Sequence, residues 1–181
     1  VDPSDHVHIA YFDYTNNDLK YMTNDADYWR VSFVDWVGDV GRSASMAVDS
    51  NGDPHIVYID SNNSVLKYAT ITSWKKLTVD HRADTGWYAS MTLDARGFAH
   101  AAYYDKTNQD LMYASNYGAQ MWYWDRVDHT INKNDGLYPS IAVDAQGVVH
   151  ISYYNDTDGT LMYANNAGGD WVSKLVDGGV D

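Results

Sequence analysis

Hydrophobic and polar positions alternate along this chain in short runs, without the period of an amphipathic helix. Runs such as Ile56-Val57-Tyr58-Ile59, Val65-Leu66-Lys67-Tyr68 and Ser140-Ile141-Ala142-Val143 are rich in β-branched and aromatic residues. Each is bounded by clusters of Asn, Asp and Gly, the signature of strands joined by tight turns. In the run that follows each repeated histidine, the next residue is apolar and the one after it is small, so neither face reads as solvated. A sheet covered on both sides is expected.

The runs repeat. His8-Ile9-Ala10-Tyr11, His55-Ile56-Val57-Tyr58, His100-Ala101-Ala102-Tyr103 and His150-Ile151-Ser152-Tyr153 recur at intervals of about 45 to 50 residues, the period of propeller blades. Each copy continues to Asp13, Asp60, Asp105 or Asn155, then to a Leu-x-Tyr ending at Tyr21, Tyr68, Tyr113 or Tyr163. A tryptophan follows (Trp29, Trp74, Trp122, Trp171), and then an aspartate (Asp35, Asp80, Asp128, Asp177). Ahead of the last three histidines lie Ser45-Met46-Ala47-Val48-Asp49, Ser90-Met91-Thr92-Leu93-Asp94 and Ser140-Ile141-Ala142-Val143-Asp144. Four strands per unit, A to D from the axis outward, predict an all-β β-propeller of four tandem blades. Their approximate bounds are 1–40, 41–85, 86–135 and 136–181. The tryptophans, at one place in every unit, are expected to be equivalent blade residues whose role is packing.

Between strands A and B, Asp-x-x-Gly recurs from Asp49 to Gly52, Asp94 to Gly97 and Asp144 to Gly147. Gly supplies positive φ and Asp closes an Asx-type turn. Together with Ser140 to Tyr154, these residues resemble the blade core of bacterial secreted propellers of the BNR/Asp-box-like and NHL-like kind. The turn departs from a true Asp box, Ser-x-Asp-x-Gly-x-x-Trp, by one extra residue before Gly and by His in place of Trp. The resemblance implies fold more than activity, because propellers host lectins, sialidases, polysaccharide lyases and interaction scaffolds alike.

Composition narrows the partners. A formal charge of -13, with all 25 acidic residues Asp, argues against nucleic acid and anionic membranes, which recruit basic patches. Asp favours turns where Glu favours helices, so few helices are expected. There is no cysteine, and no apolar run approaches the ~20 residues of a membrane span. An extracellular or cell-surface setting fits the resemblance.

On a propeller the D-to-A and B-to-C loops open on one face, where ligand contacts are expected. The D-to-A segments, Trp36 to Ala44, His81 to Ala89 and His129 to Pro139, read as loops that differ between copies. They place Arg42, Trp87, Tyr88 and Tyr138 near the channel mouth, with His81 and His129 beside them. Aromatic faces beside hydrogen-bonding groups suit a sugar ring or a similar polar ligand. A non-catalytic carbohydrate-binding or adhesive module is the leading reading, and a purely structural propeller is one alternative. The other is an enzyme: a lyase with His81 or His129 and a tyrosine as base and acid, or a glycosidase, for which no carboxylate pair stands apart from the repeat. No catalytic residue, metal ligand or cofactor is assigned. The repeated histidines read as packing residues bonded to the adjacent blade. The aspartates of strand A could ring a cation but are explained by turn closure. The B-to-C loops offer oxygens that would suit calcium without the spacing of an EF-hand-type loop.

The first unit holds only the end of strand A, since Val1-Asp2 aligns with Val48-Asp49, and no later segment completes it. An open arc exposes an edge strand and an apolar face. The expectation is a larger propeller or two chains joined in one eight-bladed ring, with a closed four-bladed ring as runner-up.

Overall fold

The computed structural model describes residues 1–26, 28–70, 74–117, 121–128 and 133–178. Fifteen strands form four antiparallel sheets in chain order, with no α-helix among the described residues. The first sheet has three strands, β1(His8–Asp13), β2(Asp18–Thr23) and β3(Arg30–Asp35). The second is β4(Val40–Val48), β5(Pro54–Asp60), β6(Val65–Thr70) and β7(Lys75–Asp80). The third is β8(Thr85–Leu93), β9(Ala99–Asp105), β10(Asp110–Ser115) and β11(Tyr123–Asp128). The fourth is β12(Asp135–Val143), β13(Val149–Asn155), β14(Thr160–Asn165) and β15(Val172–Asp177). Every sheet runs as a meander, and the sheets stack face to face as blades of a β-propeller.

The turn chemistry read from sequence builds the A-to-B connections. Asp49 Oδ1 accepts the backbone N–H groups of Asn51 and Asp53 at 2.8 and 2.9 Å. Asp2, Asp94 and Asp144 do the same in their own turns. In the B-to-C turns the carboxylates of Asp13, Asp60 and Asp105 accept local N–H groups.

Three apolar clusters lie between successive blades. The first joins Leu19, Tyr21 and Val34 to Ile56, Tyr58 and Ala69. The second joins Val57, Leu66 and Val79 to Ala101, Tyr103 and Met112, and the third joins Leu111 and Val127 to Ile151, Tyr153 and Ala164. Each fully buried large side chain contributes roughly 1.5–3 kcal/mol relative to exposure, so the joints between blades carry the core. Each blade thus has a front face toward the next blade and a rear face toward the one before.

Two further contacts recur at every joint. A strand-C tyrosine meets the next blade's tryptophan edge to face: Tyr21 with Trp74, Tyr68 with Trp122 and Tyr113 with Trp171, with ring centroids 5.1–5.2 Å apart. A strand-B tyrosine donates its hydroxyl back to the aspartate closing the previous blade: Tyr58 to Asp35 at 2.7 Å, Tyr103 to Asp80 at 2.8 Å, and Tyr153 to Asp128. Lys67 reinforces the first of these from 2.8 Å.

Three expectations are corrected. The repeated histidines bond within their own blade and not to its neighbour. His8, His100 and His150 place Nδ1 2.5 Å from the hydroxyls of Tyr21, Tyr113 and Tyr163, and His55 bonds Tyr68 likewise. The fixed step between strands B and C sets that pairing, and it holds the tyrosine ring against the next blade's tryptophan. The four tryptophans are not equivalent either: Trp74, Trp122 and Trp171 pack in joints, whereas Trp29 is 48% exposed. Thirdly, the D-to-A segments are loop only in their first half, since strand A starts at Val40, Thr85 and Asp135.

Candidate functional site

Strand A extends toward the mouth through a double irregularity. Pairing with strand B shifts twice, between Val40 and Arg42 and again between Arg42 and Ser45, and likewise in the third and fourth blades. Gly41, Gly86 and Gly136 take φ of 109°, 95° and 99°, and two residues later Ser43, Tyr88 and Tyr138 take 50°, 55° and 52°. The glycines are obligatory: a Cβ on Gly41 would fall 2.8 Å from Leu19 Cα, and one on Gly136 would fall 2.6 Å from Leu111 Cα. A bulge of this kind re-aims side chains at a sheet rim. The glycine and polar residues that looked like loop are therefore bulged strand.

The inner strands lie side by side. Ser45 Oγ accepts the Met91 N–H at 3.0 Å, Ser90 Oγ accepts the Ile141 N–H at 3.4 Å, and Ser43 Oγ accepts the Tyr88 N–H at 3.3 Å. This brings Ser43, Tyr88 and Tyr138 into one row across three blades. The rings of Tyr88 and Tyr138 have centroids 4.4 Å apart, and Tyr88 also faces Tyr104 at 6.2 Å. Tyr138 is 63% exposed and Tyr88 is partly open. Burial, and then the neighbouring Tyr138 hydroxyl, raise the Tyr88 phenol above its ordinary range. The Tyr104 hydroxyl donates to Asn134 Oδ1 at 2.6 Å, and Asn134 is fixed in turn by Thr157 and Asp156. The result is a cluster of tilted aromatic rings edged by hydroxyls and an amide.

The other residues singled out from sequence divide. Arg42 lies on β4 and not in a loop; its guanidinium is paired with Asp39 at 3.0 Å and rests over the Phe12 ring at 4.5 Å. Trp87 is on β8, half-buried, with the Lys106 ammonium 5.1 Å from its ring centre. His81 remains in the D-to-A turn, exposed, and nothing ties it to Tyr88. His129 lies outside the described residues. Tyr104 and Asn134 escaped the sequence reading. Their signal was the Tyr-Tyr doublets at Tyr103-Tyr104 and Tyr153-Tyr154, where the earlier copies have Tyr11-Phe12 and Tyr58-Ile59.

Two cavities open on the first blade. One of about 490 Å³ is lined by Asn16, Asp18, Phe33 and Trp36. The other, about 550 Å³, is lined by Tyr21, Tyr28, Trp29, Trp74 and the Asp25–Arg30 pair, among others. Phe33 belongs to the first hollow, whereas Tyr21 and Trp74, in the second, meet in the joint between the first two blades. Among the described residues no three His or Asp side chains gather closely enough to hold a metal ion. No helix there is long and apolar enough to cross a membrane.

No family model matches this chain, and no curated protein does. Solved structures share the fold. An ulvan lyase, described as a new family of polysaccharide lyase, aligns over 96% of this chain and 56% of its own, with TM-score 0.65 and 13% identity. A Hadza microbial sialidase covers 91% of this chain with 42% of its own, at TM-score 0.61 and 11% identity. The fucose-specific lectin from Aleuria aurantia aligns over 95% of this chain and 61% of its own, at TM-score 0.56 and 10% identity. The chain spans about half the length of these relatives, and the likeness at such identities is one of fold: a β-propeller.

Proposed function

We propose that this chain is a non-catalytic, lectin-like propeller module that binds a carbohydrate on the Tyr88–Tyr138 surface. One observation carries the reading. Ser43 occupies the same bulge as Tyr88 and Tyr138 with nearly the same φ, so the bulge itself does not call for a phenol. Bulky residues in the left-handed region cost on the order of 1–3 kcal/mol and persist where they serve a purpose. Two tyrosines held open there, side by side, offer a ring face with hydroxyls at its rim, which matches the apolar face and equatorial hydroxyls of a sugar.

The structural neighbours, a lectin and enzymes acting on polysaccharide or sialic acid by their names, support a carbohydrate ligand without choosing among these activities. A lyase needs a proton-transferring pair within reach of one sugar. An extracellular or cell-surface setting accompanies this proposal, as does kinship with the BNR/Asp-box-like or NHL-like propellers.

Glycan-array binding followed by calorimetry tests it. Tyr138→Ala is expected to weaken the best ligand at least 10-fold, in keeping with ~1.4 kcal/mol per decade, while Trp74→Phe leaves affinity unchanged. Unsaturated products released from a uronic-acid polymer, and lost in His81→Ala, would replace binding with a lyase activity.

A further inference from the structure

Tyr88 and Tyr138 are paired along their whole length. Their backbones occupy the same bulge of neighbouring inner strands, β8 and β12, at φ of 55° and 52°. Their ring centroids are 4.4 Å apart with the planes tilted at 49°, and the Tyr138 hydroxyl adjoins that of Tyr88. With the main chains together at one end and the hydroxyls together at the other, the rings lie in the same sense. The carbons ortho to each hydroxyl are therefore neighbours. Both rings are open to solvent, at 63% exposure for Tyr138 and 37% for Tyr88. The other tyrosines lack this combination. Among the described residues the remaining contact between tyrosine rings is Tyr88 with Tyr104, at 6.2 Å, and Tyr104 is 5% exposed with its hydroxyl given to Asn134. Tyr58, Tyr103 and Tyr153 are buried against carboxylates, and the chain has no cysteine to intercept an oxidant.

We propose that Tyr88 and Tyr138 form an oxidative modification site, at which a peroxidase supplied with hydrogen peroxide couples the two phenols into a dityrosine cross-link. The oxidant takes one hydrogen atom, as an electron and a proton, from each hydroxyl, and one hydrogen peroxide is reduced to two waters. Each phenoxyl radical carries spin on its ortho carbons, and one such carbon from each ring joins the other in a carbon–carbon bond. The hydrogen on each bonded carbon then moves to oxygen, so both phenols return and the chain has lost two hydrogens in all. Two radicals fixed side by side combine at an effective concentration far above that of separate chains. Strands β8 and β12 belong to the third and fourth blades, so the link staples two blades covalently in a chain where no disulfide can. Its formation does not depend on a sugar binding to the same rings.

The test treats the purified chain, at micromolar concentration and without sugar, with a haem peroxidase and hydrogen peroxide. The intact mass is expected to fall by two hydrogens with no doubling, accompanied by blue dityrosine fluorescence. Trypsin then releases Ala83–Arg96 joined to Asn134–Lys174; the first holds Tyr88 as its single tyrosine, and fragmentation places the other end at Tyr138. This pair is expected to exceed any other linked pair by about 10-fold. The linked chain should melt on the order of 5–10 °C higher, as a cross-link between residues distant in sequence does. Tyr88→Phe and Tyr138→Phe delete only a hydroxyl. Each is expected to lose the link and the gain in melting temperature with circular dichroism unchanged, whereas Tyr104→Phe keeps both. A link that persists in Tyr138→Phe overturns the proposal. So does a dominant link at another tyrosine, chains joined only to one another, oxygen added to methionine or tryptophan with no loss of hydrogen, or an unchanged chain under conditions that couple free tyrosine.

Discussion

The Tyr58 hydroxyl lies 2.7 Å from Asp35 Oδ2, across the boundary between the first two blades and 23 residues away in sequence. Asp35 is 2% exposed, so its charge is held by Tyr58 and Lys67 in place of water. These partners hold its carboxyl below the usual carboxylate range against the opposing effect of burial. Burial and the adjacent carboxylate in turn drive the Tyr58 phenol far above its ordinary value. A buried charge is tolerated because its partners, Lys76 at 3.5 Å among them, are in place.

The same arrangement in the next joint supplies a stability test. Asp80 is fully buried and receives the Tyr103 hydroxyl and the Arg82 guanidinium. Asp80→Ala leaves the Tyr103 phenol without its acceptor and Arg82 with Asp105 alone, and is expected to cost about 3 kcal/mol. Tyr103→Phe removes one bond to a charged group and should cost about 1.5–3 kcal/mol. Urea unfolding midpoints order the two, and equal, near-zero shifts would show that the lock is ornamental.

Glycines of similar φ separate by what surrounds them. Gly136 (φ 99°) faces Leu111 backbone at 2.6 Å, whereas Gly147 (φ 84°) has nothing within 4 Å of a built Cβ. Gly147→Ala should cost about 1 kcal/mol from conformation alone. Gly136→Ala must also push apart the third and fourth blades, and several kcal/mol are expected, in line with overpacking. Matched melting temperatures for the two variants would refute the close approach.

Asp135 makes stability depend on pH. It is 1% exposed, its Oδ2 lacks a hydrogen-bond partner, and burial, followed by the charge of Asp128, raises its carboxyl to about 6. The folded state therefore holds a proton that the unfolded chain releases near its ordinary value of 3.8. This contribution is fully present below about pH 4 and is lost as pH rises through about 6. Asp135→Asn should abolish that part of the slope and stabilise the chain at pH 7.5 by about 1–2 kcal/mol. Thermal melts from pH 4 to 8 on both proteins check it; parallel curves would contradict the assignment.

Trp122 separates packing from hydrogen bonding. Its indole meets Tyr68 edge to face, and its buried Nε1 has no partner. Trp122→Phe should thus cost about half of the ~3–5 kcal/mol expected for Trp122→Ala. A Phe variant as unstable as the Ala variant would reveal an unrecognised partner for the N–H.

The repeat was legible because its elements recur locally: a histidine and tyrosine on adjacent strands, an Asp-closed turn, a tryptophan, an aspartate. What each was for was less legible. Asp35 and Asp80 stood out by spacing, yet their partners sit on the following blade, and nothing local points across that distance. The inner strands were read too short because Gly41, Arg42 and Ser43 resemble loop in one dimension and form bulged strand in three. Tyr88 and Tyr138 stand out in sequence as aromatic residues ahead of strand A. Their alignment rests on a Ser43 hydroxyl and a backbone N–H that composition does not reveal. Arg42 looked available and proved to be paired with Asp39.

Each blade carries an acceptor on its front and a donor on its rear, beside a leucine for the next blade's glycine. A copied unit therefore arrives with both halves of its connection already encoded. Tandem duplication of the coding segment lengthens such an array without inventing a new contact, and deletion of a whole unit leaves its neighbours able to meet. Gly41, Gly86 and Gly136 meet Leu19, Leu66 and Leu111 at successive joints, which sets how closely neighbouring blades approach. A larger side chain at any of these glycines has to push two blades apart.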